Sequence, residues 1–397
     1  MRRKTLLVFS VSLLVMMISN TAYAKTNLNP VFSHGLKFQS DDKAFKIGVG
    51  GRIMNDWAWL SADSALKDEK TVWKSGTEFR RARLYIGGHI YSNIKFKAQF
   101  DFAGGKAKAK DLYIALTKIP GIGMIKTGRF KQPFGLEELT SSKYITFIER
   151  SMTMEAFAPS RQSGIMIGST AWDKRLTWHV STFRKTNGYG KDYGDNDMNY
   201  AIRVTVVPYK EDKNIIHLGV SYVALKPNGD SYRSESRPEM HLAPKRLADT
   251  KSISSDNVSL LGLEAAAVFG PFSAQAEYVK ADVSALDGSD PSFSGYYAYV
   301  SYFLTGESRH YKKGVFKRVS PKGNFGVDGA GAVEIAVRYS NLDLNDAGVK
   351  GNEVDTTTVG LNWHLNPNTR MMLNYISADQ KNIGKANALM ARFQVDF

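Results

Sequence analysis

Beyond Ala44 almost every segment of the chain alternates apolar and polar residues with a period of two. Helices repeat every 3.6 residues, so this pattern restricts the chain to strands with two unlike faces. In residues 93–103, Ile94, Phe96, Ala98, Phe100 and Phe102 share one face, and Lys95, Lys97, Gln99 and Asp101 share the other. In residues 45–59, Phe45, Ile47, Val49, Ile53, Trp57 and Trp59 oppose Lys46, Arg52 and Asp56. About sixteen such segments follow one another: 44–60, 78–90, 93–103, 109–119, 122–131, 163–171, 175–184, 199–209, 214–225, 258–269, 272–281, 294–305, 331–343, 355–365, 369–378 and 386–397.

A soluble sandwich would produce the same alternation, because it buries one face of each strand and wets the other. Three features favour a barrel that crosses a membrane. Most segments run about ten residues, the length a tilted strand needs to span a bilayer. Very short connections (91–93, 172–174, 366–368) alternate with long hydrophilic ones (61–77, 184–198, 226–257), as in outer-membrane barrels. Aromatic residues sit near segment ends, where girdles form, and the last segment carries Leu389, Ala391, Phe393, Val395 and a terminal Phe397 on one face. The expected fold is all-β, a 16-stranded antiparallel transmembrane β-barrel. With both chain ends in the periplasm, residues 306–330 break the alternation: either the strand count is off there or, the preferred reading, they form an enlarged periplasmic turn.

The N-terminus fits export. Arg2, Arg3 and Lys4 precede an apolar run from Leu6 to Ile18, and Ala22-Tyr23-Ala24 supplies the small residues of a cleavage site. Residues 1–24 therefore read as a signal peptide and 25–397 as one outer-membrane barrel domain. The formal charge of +15 becomes +12 once those three cations leave. Such a balance calls for an anionic partner, and export argues against nucleic acid. There is no cysteine, so thiolate metal sites and disulfides are excluded. No motif for a metal or an organic cofactor is present.

The excess cations must face the lumen. Arg or Lys on the lipid face at mid-membrane costs about 2–4 kcal/mol. Parity sets Arg81 and Arg83 against Ala82 and Leu84, Arg52 against Ile53, Arg203 against Ile202 and Val204, and Arg338 against Val337 and Tyr339. Sixteen strands leave an aqueous channel, and fixed guanidinium groups in it attract anions. Lys–Asp ladders offer a competing reading, in which Asp56, Asp101, Glu264, Glu277 and Glu334 neutralise much of that charge.

Several runs resemble the phosphate-selective porins of the O and P type: Gly51-Arg52 with Asp56, Phe79-Arg80-Arg81-Ala82-Arg83-Leu84, Gln99 to Gly105, Tyr302 to Glu307, Tyr339 to Leu344 and, most specifically, Gly128-Arg129 followed by FKQPFGLEELTSSKYITFIERS at 130–151. The resemblance covers nearly the whole mature chain. It implies a bacterial outer-membrane homotrimer of sixteen-stranded barrels in outer-membrane lipid. It also implies a third extracellular loop, here 132–162, that folds inward and narrows the pore. An arginine ladder would line the lumen, and lysines with serines near the constriction would hold the anion. Carried onto this chain, the implied pore-lining and anion-binding residues are Arg52, Arg81, Arg83, Lys97, Asp101, Arg129, Lys131, Ser141, Ser142, Lys143, Arg150, Arg161 and Arg203. Glu137, Glu138 and Glu149 lie on the same loop and either pin arginines or face the wall. Asp101, placed by parity beside Lys97, either balances lysines or accepts the hydrogen bond of a protonated phosphate.

Inorganic phosphate is the substrate this resemblance implies. A porin for other anions, polyphosphate among them, and a structural barrel without selective transport are the alternatives. The chain does not read as an enzyme: its histidines, at 34, 89, 179, 217, 241, 310 and 364, fall in no GxSxG or HExxH setting.

Overall fold

The computed structural model describes residues 27–32, 35–67, 72–192, 198–227 and 231–397. The expected leader lies outside the described residues. Sixteen antiparallel strands form the barrel: β1 Lys46–Ala62, β2 Gly76–Ile90, β3 Ile94–Asp101, β4 Lys108–Ile119, β5 Gly123–Lys131, β6 Arg161–Ala171, β7 Leu176–Arg184 and β8 Asn199–Glu211. The second half consists of β9 Asn214–Leu225, β10 Ile253–Phe269, β11 Phe272–Ala285, β12 Ser292–Phe303, β13 Ala332–Asp346, β14 Val349–Asn366, β15 Thr369–Gln380 and β16 Gly384–Asp396. Strand β16 pairs with β1 from Ala386↔Ala62 to Asp396↔Arg52, which closes the sheet and removes its edges. Below that seam the segment Leu36–Ser40 continues the pairing along the start of β1, with Leu36 opposite Val49.

Period-two patterning becomes two faces. Leu84, Phe100 and Val220 are 50%, 38% and 43% exposed on the outside, whereas Arg83 and Arg203 are 8% and 1% exposed within. The strands exceed the sequence-based segments mainly at their extracellular ends. There β10 begins at Ile253 and β14 at Val349, because polar residues above the apolar band continue the ladder.

Connections alternate as expected. Turns such as 91–93 and 367–368 lie at the end where the chain terminates, and the larger loops lie at the other. The exception is the connection between β12 and β13, residues 304–331, a long element at the short-turn end. It contains a small hairpin, Tyr311–Lys312 with Val315–Phe316, that folds up into the lumen.

Loop 132–160, between β5 and β6, folds inward with two short helices, α1 Leu136–Leu139 and α2 Met152–Phe157. It does not cross open water. Phe134, Phe147, Ile148, Met152, Met154 and Phe157 join Met240, Leu247 and Ala248 of loop 226–252 against inward residues of β10 to β16. Burying that apolar surface makes half of the lumen solid. The two larger open chambers lie against β1 to β9 and the 304–331 connection.

Candidate functional site

The register explains how the open side acquires its cations. Between β1 and β2 the pairing slips, with Met54 opposite Arg81 and Asn55 opposite Phe79. This bulge lets consecutive arginines turn inward. Arg80 Nε lies 2.8 Å from Glu149 Oε1, and Arg81 Nη2 lies 3.7 Å from Glu149 Oε2. Strict alternation leaves Arg80 unassigned. The clue in the sequence is two adjacent arginines in a strand, one of which would otherwise face lipid.

A cavity of about 480 Å³ is walled by Arg52, Arg81, Arg83, Lys97, Lys126, Lys131, Arg150, Arg161, Arg203, Lys313 and Lys317, with Asp111 as its one carboxylate. Ser141, Ser142, Tyr113 and His179 complete the polar lining. Ten of the thirteen sequence-assigned residues meet here. Arg52 Nη1 donates to Ser142 Oγ at 2.8 Å. Asp111 is gripped by Arg161 at 2.7 Å and Lys97 at 2.6 Å. Lys126 stands over the rings of Tyr113 and Phe130, 4.9 and 5.1 Å from their centroids. Among the described residues no carboxylate lies within 4 Å of Arg52, Lys126, Lys313 or Lys317. Arg52 and Arg81 each keep a buried Nε–H without a partner. Unmade bonds of this kind favour an oxyanion that could accept them.

Three assigned residues lie elsewhere. Asp101 does not sit beside Lys97: it takes Arg83 Nε at 2.7 Å, with Lys110 at 3.8 Å, because the irregularity in the β3–β4 pairing gives Lys97 to Asp111 instead. Arg129 pairs with exposed Leu112, and its guanidinium donates to Thr186 of the next extracellular loop at 2.7 Å. Lys143 reaches Asp396 at 2.8 Å, so the final strand holds it away from the cavity.

The loop carboxylates act as pins. Glu138 forms ion pairs with Arg150 at 3.1 Å and with Lys131 at 3.4 Å. Burial pushes its pKa up, but Arg150 and Lys131 outweigh this and hold it at about 2. For Glu149, burial is likewise overcome, by Arg80 and Arg81, which keep it well below the usual carboxylate range. Glu137 and Glu239 share Arg338, at 3.2 and 2.5 Å. Arg338 therefore faces inward yet lines no open path.

The enlarged turn supplies what sequence reading missed. Arg203 donates to Gly314 O at 2.8 Å, Tyr311 Oη lies 2.7 Å from His217 Nδ1, and Phe316 N–H donates to Thr140 Oγ1 of the inward loop at 3.3 Å. Lys313 and Lys317 are thereby carried from the periplasmic end into the cavity. Below them opens a second chamber of about 940 Å³ whose lining includes Lys174, Arg175, Lys210 and Lys322.

The model of the phosphate-selective porin O and P family matches residues 47–397. The chain belongs to that family. Porin O of Pseudomonas aeruginosa is 28% identical to this family member over 98% of the chain and 96% of its own length. An uncharacterized protein of Caulobacter vibrioides is 30% identical over 91% of the chain and 76% of its own length. Among solved structures, the outer-membrane channel DcaP of Acinetobacter baumannii matches with a TM-score of 0.56, 12% identity and coverage of 91% and 99%. The anion-selective porin of Comamonas acidovorans matches at 0.53, 12% identity and coverage of 88% and 99%. At such identities the likeness concerns the fold. This phosphate-selective porin O and P family member is thus a bacterial outer-membrane porin built on a sixteen-stranded barrel.

Proposed function

We propose that the porin conducts small anions passively and that inorganic phosphate is its preferred substrate. The observation that carries this reading is the cavity: eleven cationic side chains and one carboxylate around about 480 Å³. Dense fixed charge of one sign in a low-dielectric wall concentrates anions and excludes cations. The unpartnered Nε–H groups of Arg52 and Arg81, with the hydroxyls of Ser141 and Ser142, supply donors in number for a tetrahedral oxyanion. Many shallow contacts in series suit flux, because an ion must enter favourably and still leave. The family's description as phosphate-selective and the likeness to the anion-selective porin of Comamonas acidovorans support an anion path. The chain also assembles as a homotrimer in this reading, as the trimer form of Vibrio cholerae OmpT does.

Reversal potentials in planar bilayers, in dilute chloride, phosphate and sulfate salts, test the proposal. Phosphate added to a chloride bath should block chloride current at low concentration. Absence of that block would leave a general anion porin, and a reversal potential favouring cations would remove the anion path altogether.

A further inference from the structure

Parity turns Glu277 of β11 inward, yet it neutralises no cation. Among the described residues no lysine, arginine or histidine lies within 4 Å of its carboxylate, although the residue is only 3% exposed. Its register partner across the β10–β11 ladder is another carboxylate, Glu264, which Arg203 and His217 already hold. Glu137 of the inward loop is held in the same way by Arg338. Like charges directly opposite one another weaken a sheet, and burying a carboxylate without a cation is costly. The wall itself gains nothing from Glu277.

The gain lies on the inward loop. Glu277 Oε2 accepts the N–H of Leu136 at 2.7 Å, Oε1 accepts the N–H of Glu137 at 2.7 Å, and Tyr297 Oη donates to Oε1 as well. Three donors thus satisfy a charge that no cation balances. Leu136 and Glu137 open α1. Gly135 makes room for the contact: its φ is +69°, and a Cβ there would lie 3.0 Å from Glu277 Oε2 and 2.8 Å from Met154 Sδ. The rest of α1 holds cations of the cavity. Arg150 Nε donates to Glu137 O at 3.0 Å, and its Nη2 donates to Glu138 O at 3.2 Å and to Thr140 O at 3.0 Å. Lys131 pairs with Glu138. Ser141 and Ser142 follow directly in the chain, and Thr140 Oγ1 accepts from the lumenal hairpin. Contacts therefore run from one wall carboxylate, through a helix of four residues, to the donors that line the cavity.

We infer that Glu277 is a positioning residue for the anion path: it fixes the depth at which α1 seats in the lumen, and so where the loop's donors meet the ion. It touches no ion itself. The inference rests on the anion path proposed above and adds the wall residue that sets its loop. Position and charge act with opposite signs here. Removing a negative charge draws anions in more strongly, whereas misplaced donors bind phosphate less well.

Glu277→Gln and Glu277→Asp separate the two, because Asp keeps the charge but stops one methylene short of the amides. Each variant would be recorded in planar bilayers in dilute chloride, once circular dichroism and heat-modifiable migration show a folded barrel. The expected result is the same for both: open-channel current noise several-fold above wild type, and a several-fold higher phosphate concentration for half block. An Asp variant that behaves as wild type overturns the inference, whether Gln is blocked more readily, as charge alone dictates, or is unchanged, as wall packing dictates. A wild-type current that phosphate fails to block removes the phosphate reading alone, and the noise in chloride still decides Glu277. If neither variant folds, Gly135→Ala decides, since it crowds the same contact with Glu277 intact: raised noise upholds the inference, and a current as quiet as wild type overturns it.

Discussion

Arg392 grips Asp56 with both of its arms, Nε to Oδ1 at 2.6 Å and Nη2 to Oδ2 at 2.6 Å, and both side chains are fully buried. The two residues are register partners across the β16–β1 seam. Nη2 also lies 2.8 Å from Glu149 of the inward loop, and Nη1 donates to Ile148 O. One guanidinium thus closes the barrel and ties the loop to the wall, a task that suits its planar fork.

Arg392→Ala should lower stability by about 3–5 kcal/mol, since it strands a carboxylate in a water-poor site. The double substitution with Asp56→Ala should recover part of that loss. Thermal unfolding in detergent, followed by circular dichroism, measures both. A loss under about 1 kcal/mol, as for exposed pairs, would mean that water reaches Asp56 freely.

Gly314 sits at the tip of the lumenal hairpin, between Lys312 and Val315. Its φ is +76°, and a Cβ there would lie 3.1 Å from Arg203 Nη1 and 3.2 Å from Thr205 Oγ1. Gly314→Ala combines a left-handed strain of about 1–2 kcal/mol with pressure on the Arg203–Gly314 bond. The lumenal hairpin should swing toward the periplasm, and single-channel conductance in chloride should rise. An unchanged conductance would show that the hairpin does not narrow the path.

The strands and their inner faces were legible in the sequence because, bulges such as that at Arg80 and Arg81 aside, parity decides which side of a sheet a residue takes. Parity does not say which partner waits there. Arg338 and Arg392 point inward as parity requires, but loops 132–160 and 226–252 consume them as clamps. Lys143 sits within the loop motif, yet Asp396, more than 250 residues away, takes it. Lys313 and Lys317 carried no signal, since a turn's excursion into the lumen depends on Arg203 and Thr140 rather than on its own pattern.

Lys317 makes anion selectivity sensitive to alkaline pH. Burial, then the charges of Lys312 and Lys313, hold its pKa below the ordinary lysine value. A lowered pKa means that its positive charge is lost earlier as pH rises. The chloride-over-sodium permeability ratio should therefore begin to fall below the range where free lysine titrates, near 10.4. Lys317→Arg should flatten that fall, because guanidinium stays charged. An identical pH profile in the variant would exclude Lys317 as the titrating group.

Arg52 and Lys143 separate the cavity from the motif that first pointed to it. Arg52 lines the cavity with no carboxylate within 4 Å among the described residues and with a free Nε–H. Lys143 spends its charge on Asp396. Arg52→Gln should raise the phosphate concentration that blocks chloride current about tenfold, since a charge-assisted hydrogen bond contributes roughly 1.5–3 kcal/mol. Lys143→Gln should change it less than twofold. Both effects need dilute salt, because at 1 M the screening length is only about 3 Å. If Lys143→Gln weakens the block as much as Arg52→Gln, the anion's deepest site lies on the loop near Asp396 and not in the cavity.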